Sequence, residues 1–138
     1  MPTYCINIAI IINVWTAPVI RVEMTAVVGG TVTLSCWTHL PTPVDWYYLP
    51  SETAKRGWFL CSAGHLVSDY SERFTLNRSD PGDYSLIIQS VTREEAGVYI
   101  CREDIGLGTE HRITLTVFGK ISISKSCVIR LCQICSLC

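Results

Sequence analysis

The stretch Glu94-Glu95-Ala96-Gly97-Val98-Tyr99-Ile100-Cys101 constrains the fold more than any other part of the chain. Successive side chains of a strand point to opposite faces, so Tyr99 and Cys101 share one face and Ile100 takes the other. A tyrosine two residues before a cysteine, just past an acidic turn, is how a two-sheet β sandwich packs a ring inside and ties down a corner through the hydroxyl. Such a corner calls for a cysteine and a tryptophan upstream. Cys36 ends the alternating run Thr31-Val32-Thr33-Leu34-Ser35-Cys36, and Trp46 follows within Val44-Asp45-Trp46-Tyr47-Tyr48.

The chain has 138 residues. That is room for one domain of about 100 residues with short ends, enough to bury a core. A net charge of −1 provides no basic field for nucleic acid. Eight cysteines are dense for a reducing compartment and point to the secretory route, hence to a cell-surface or secreted protein. Residues 5–15 form an apolar run with the length of a signal-peptide core, too short to span a bilayer. We therefore read 1–19 as a signal peptide, with an extra edge strand as the alternative. Nowhere does the chain offer the ~18 consecutive uncharged apolar residues of a membrane span.

From Ile20 onward, short alternating segments are punctuated by turn formers. Ile20 to Met24 leads through Val27-Val28-Gly29-Gly30 and reads as a split first strand. Val32, Leu34 and Cys36 face one side of the next strand, then Val44, Trp46 and Tyr48 face the core, with Asp45 and Tyr47 outward. Trp58-Phe59-Leu60-Cys61 is apolar on both faces, unlike a solvent-facing strand. Leu66 and Val67 suit a short edge strand. Phe74 and Leu76, then Leu86 and Ile88, are the inward sets of two strands joined by the turn-rich Asn77 to Asp83. Arg102 to Ile105 continues the strand of Cys101, Gly106-Leu107-Gly108-Thr109 reverses it, and Arg112 to Val117 returns with Ile113, Leu115 and Val117 inward. About nine strands without an amphipathic helix predict an all-β, two-sheet Greek-key sandwich.

Five ordered motifs make 20–118 resemble a variable-type (V-set) immunoglobulin domain. They are Gly30-x-Val32-x-Leu34-x-Cys36, Trp46-Tyr47, Arg73-Phe74-Thr75-Leu76, Tyr84-Ser85-Leu86-x-Ile88 and Glu95-Ala96-Gly97-Val98-Tyr99-x-Cys101. The resemblance implies a Cys36–Cys101 disulfide between the sheets, worth about 4 kcal/mol on the chain-entropy account. It implies a core of Trp46, Tyr99, Leu34, Leu86 and Ile88, and an ion pair between Arg73 and Glu95, where the family usually has Asp. The long segment from Trp46 to Cys101 favours the variable over the constant type. Gly106 to Thr109 stands too close to Cys101 for the glycine signature of rearranged antigen receptors, so the likeness is to a non-rearranging immune-type receptor.

His39, His65 and His111 are scattered and build no catalytic constellation, so no catalytic residue, cofactor or metal is expected. Cys61 has no mate in family-like position and suits a buried inert thiol, with a bridge to another cysteine as the alternative. The tail 119–138 carries CxxxxCxxCxxC, cramped for a structural zinc site. It reads as an end outside the domain. Asn77-Arg78-Ser79 is a glycosylation sequon in a turn. V-set proteins commonly use the broad sheet for partners; its outward positions are Tyr47, Ile100, Arg102, Asp104, Arg112 and Thr114, a set with interface-type chemistry. The leading expectation is a non-enzymatic receptor domain binding a protein ligand, such as another cell-surface protein, through that face. The alternative is a homophilic adhesion module that dimerises through the same sheet or the tail cysteines.

Overall fold

The computed structural model describes residues 17–39, 42–67 and 72–119. Within them lie nine strands: β1 (Val19–Val27), β2 (Val32–Leu34), β3 (Val44–Leu49), β4 (Trp58–Ser62), β5 (His65–Leu66), β6 (Phe74–Leu76), β7 (Leu86–Ile88), β8 (Gly97–Glu103) and β9 (Glu110–Phe118). They form a six-stranded sheet in the order β1-β9-β8-β3-β4-β5 and a three-stranded sheet β2-β7-β6. This is an immunoglobulin-like two-sheet sandwich. The first 16 residues and the cysteine-rich tail fall outside the described residues, and with them the signal-peptide reading and the tail motif. Among the described residues no helix is long and apolar enough to cross a membrane.

Period-two alternation explains the core. Val32, Leu34, Cys36, Phe74, Leu86 and Ile88 from the small sheet meet Val44, Trp46, Tyr99, Cys101, Ile113 and Leu115 from the large one, all buried. Cys36 and Cys101 are joined across the gap by a disulfide, with Cα atoms 6.4 Å apart and 65 residues apart in sequence. Trp46 has no exposed surface. Its indole N–H, which would be costly to bury unpaired, donates to the Tyr84 carbonyl at 2.8 Å.

Two strands depart from the sequence reading. The first is not split: β1 runs unbroken and pairs in parallel with β9 over all nine of its residues. It is an edge strand, exposed on both faces at Val19, Ile20 and Val22, and its alternating apolar positions reach the core only at Met24 and Ala26. The second is β4. Trp46 stands opposite Cys61 while the next residue, Tyr47, stands opposite Phe59, so Leu60 is an extra residue in a β-bulge. The bulge lets both Leu60 and Cys61 turn inward, with 2% and 0% exposure, and leaves Phe59 outside. That accounts for the apolar run on both faces. Cys61 is a free, buried thiol whose pKa burial pushes up to about 11.

The corner before β8 is closed by its own side chains. The Tyr99 hydroxyl donates to the Glu95 carbonyl at 2.7 Å, and the Tyr48 hydroxyl reaches the Ala96 carbonyl at 2.7 Å. Burial holds both phenols above their ordinary pKa. Tyr48 fits because residue 97 is glycine: a Cβ there would meet the Leu49 carbonyl oxygen at 2.5 Å and the Tyr48 ring at 2.7 Å. Glu95 lies in the 3-10 turn Arg93–Glu95 and accepts from Arg73 Nη2 at 2.5 Å and from the Thr92 hydroxyl at 2.6 Å. Burial opposes its ionisation, yet the hydrogen bonds from Arg73 and Thr92 outweigh that and hold the carboxyl below the usual range.

Candidate functional site: the outward face of the large sheet

On β8 the residues between the core positions, Val98, Ile100 and Arg102, face away from the small sheet. Register places Ile100 between Tyr47 of β3 and Arg112 of β9, and Val98 between Leu49 and Thr114. Directly opposed residues have Cβ atoms about 5 Å apart, so the longer neighbours overtop the shorter ones. Ile100 is consequently only 2% exposed and Val98 1%. Parity alone makes Ile100 an exposed anchor; the structure corrects this to an apolar floor under larger side chains.

Above that floor runs a connected chain of side chains. The rings of Phe59 and Tyr47 lie 4.1 Å apart between centroids, and the Arg102 guanidinium sits 4.9 Å over the Tyr47 ring. Arg102 donates to Glu110 at 3.0 Å, and Arg112 donates to the other Glu110 oxygen at 2.6 Å. Arg112 also reaches Glu52 at 3.3 Å, and Arg21 of β1 approaches Glu52 at 3.9 Å. Burial works against the Glu110 charge, but the hydrogen bonds from Arg112 and Arg102 prevail, so its pKa lies below the ordinary value. The face thus offers aromatic surface at one side and interleaved charges at the other. Phe59 is half exposed, whereas the Arg112 side chain is only 23% exposed.

The outward positions read from the sequence divide accordingly. Tyr47, Arg102, Arg112 and Thr114 share this face. Asp104 does not continue the strand: β8 stops at Glu103, and Asp104 begins the 3-10 turn Asp104–Gly106 with φ of 48°. Four participants are missing from that reading: Glu110, Phe59, Glu52 and Arg21, the last a polar position of β1 that register sets beside Arg112. Glu110 was legible, because it is two residues from Arg112 and so on the same face. Phe59 was signalled by the apolar run around it. Glu52 sits in the polar loop after β3 and gave no sign.

The other candidates lie elsewhere. Asn77 follows β6 at the edge of the small sheet, and its Nδ2 donates to the buried Asp83 at 2.7 Å. His39 and His111 line a cleft with Trp37, Ile20 and Glu103, and His111 Nε2 lies 3.4 Å from Glu103 Oε1. His65 is on β5. Among the described residues no three His, Cys, Asp or Glu side chains gather as metal ligands.

The family profile of the immunoglobulin V-set domain matches residues 21–118. The chain belongs to the immunoglobulin V-set family. A V-set domain is a recognition or adhesion module and not an enzyme. Among curated protein sequences none is significantly similar to the chain. Solved structures share the V-set fold at low identity. The ZIG-8 IG1 homodimer is 14% identical with a TM-score of 0.60, covering 72% of this chain and 81% of that one. The extracellular domains of the voltage-gated sodium channel beta4 subunit, solved as parallel homodimers that explain its role in cell-cell adhesion, are 16% identical with a TM-score of 0.57, covering 73% and 93%. The ZIG-8–RIG-5 IG1–IG1 heterodimer is 14% identical with a TM-score of 0.55, covering 75% and 83%.

Proposed function

We propose that this V-set domain is an extracellular adhesion module that self-associates through the outward face of its large sheet. The observation that carries this reading is the face itself: Phe59 and Tyr47 supply aromatic surface beside the Arg102–Glu110–Arg112–Glu52 chain, in which both signs of charge alternate. A two-fold interface places a patch against its own copy, so it needs a patch that contains both partners of each contact. Alternating charge meets that need, whereas a single-sign face would repel itself. The similar structures solved as homodimers support homophilic adhesion over a generic immune-receptor role, and an adhesion module of this kind acts at the cell surface or outside the cell. A glycan on Asn77, at the edge of the opposite sheet, leaves this face clear.

Arg102→Glu is the decisive variant, because Arg102 is 36% exposed and touches both the aromatic and the charged half. Beads coated with the full chain are expected to aggregate, and beads carrying Arg102→Glu to aggregate at least about fivefold less at an unchanged melting temperature. Wild-type beads that stay dispersed, yet bind cells through the same residues, would return the face to a receptor for a different protein.

A further inference from the structure

The free edge of the large sheet carries its own pairing code. Among the described residues β1 is one edge strand of that sheet, and its ladder with β9 fixes which backbone groups are spent. The Glu110 amide donates to the Pro18 carbonyl at 2.9 Å, and the Val28 amide donates to the Phe118 carbonyl at 2.8 Å. In a parallel ladder, alternate residues bond to the same neighbour. Even-numbered residues of β1 therefore face β9, and the amides and carbonyls of Val19, Arg21, Glu23 and Thr25 point away from it, as does the Val27 amide, while the Val27 carbonyl is taken by the Gly30 amide at 2.9 Å. Natural edges are usually blunted by proline, by charged side chains, lysine above all, by a bulge or by a covering segment; the two charges of β1, Arg21 and Glu23, are of opposite sign and block only registers that set like against like. Residues 19–27 contain no proline and no lysine, and their pairing with β9 runs without a register shift. Val19, Ile20 and Val22 are 49%, 46% and 45% exposed, so the strand is uncovered on both faces.

We propose that β1 is a pairing edge for a second copy of this chain, joined antiparallel about a two-fold axis at Val22 so that the two six-stranded sheets become one. Charge selects this register. Antiparallel pairing with the free groups on odd residues must match odd with odd. Centring on Arg21 or on Glu23 sets like charges face to face, which is destabilising. Centring on Val22 sets Arg21 opposite Glu23 of the other copy, twice by symmetry, and Val19 opposite Thr25. On the other side of the strand Ile20 meets Met24, and Val22 meets itself in a non-hydrogen-bonded pair, where Cα atoms approach to about 4.5 Å. Arg21 has room to serve, since its side chain is 65% exposed and its approach to Glu52 is long at 3.9 Å. This edge shares Arg21 with the charge chain of the outward face, through its long approach to Glu52, but the pairing runs through the backbone groups of β1 and does not need Phe59, Tyr47 or Arg102.

Disulfide trapping in the full chain tests the proposal. A cysteine on the axis faces its own copy within disulfide reach, so Val22→Cys under mild oxidation is expected to give, on mass mapping, a peptide cross-linked to its own copy through position 22. Thr33→Cys, on an exposed position of the small sheet, is the control for random collision. Adding Glu23→Arg to Val22→Cys sets two arginines face to face in each symmetric pair and should cut the linkage about tenfold. Further addition of Arg21→Glu swaps the charges and should restore it. Arg102→Glu should leave the linkage unchanged, which separates this edge from the adhesion face. Cross-linking of Val22→Cys no more frequent than that of Thr33→Cys, or indifferent to Glu23→Arg, overturns the proposal.

Discussion

Two ion-pair systems on this domain use the same chemistry to opposite ends. At the corner, Glu95 is 7% exposed in its side chain and spends its oxygens on Arg73 and on Thr92 of its own chain. On the outward face, Glu52 is 48% exposed and is shared between Arg112 and Arg21. A buried carboxylate with every acceptor committed holds a backbone in place and has nothing to offer a partner. Exposed contacts such as those of Glu52, at 3.3 and 3.9 Å, contribute little to stability, but a partner can replace their water without first breaking a strong bond. The difference teaches that accessibility and commitment, more than residue type, decide whether an arginine–glutamate pair belongs to the fold or to recognition.

The comparison breaks most severely on the inner side. Trp46→Ala removes a fully buried ring and orphans the Tyr84 carbonyl, so it should destabilise the domain by about 4 kcal/mol, read as a fall in denaturant midpoint. A smaller loss, about 2 kcal/mol, is expected for Arg73→Ala, which leaves Glu95 buried with only Thr92 to satisfy it. The same variant sharpens the pH dependence. Glu95 has a lower pKa folded than unfolded, where carboxyls titrate near about 4.3. Above that range the stabilisation is fully present. As pH falls through it toward the folded value, the unfolded chain binds the extra proton and the stabilisation drains away. Acid titrations of melting temperature should therefore fall less steeply in Arg73→Ala than in wild type. Least is expected from Arg21→Ala, below about 0.5 kcal/mol in thermal melts, because its ion pair is long and open.

Much of this was legible in the chain. Alternation and turn formers located the strands, and the spacing of Tyr99 and Cys101 assigned their face. Parity gave direction, though not cover: whether an outward residue is exposed depends on neighbours from other strands, and Ile100 vanishes between Tyr47 and Arg112 for that reason. Local order also hid the bulge at Leu60, since a register shift is a property of two strands. Glu52 reached the face from a loop with no period to read. For β1, the sequence suggested a break on the approach to the paired glycines, whereas nine residues pair with β9 without interruption.

The bulge that turns Cys61 inward also governs sulfur chemistry. Only a thiolate attacks a disulfide. With the thiol's pKa at about 11, roughly one molecule in 10⁴ carries that thiolate at neutral pH, and the S–H is turned to the Val44 carbonyl, 3.6 Å away. Once the domain has closed, the Cys36–Cys101 linkage is therefore shielded from exchange with the spare sulfur inside the core. A single extra residue in β4 lets a third cysteine live inside an oxidised sandwich without scrambling it.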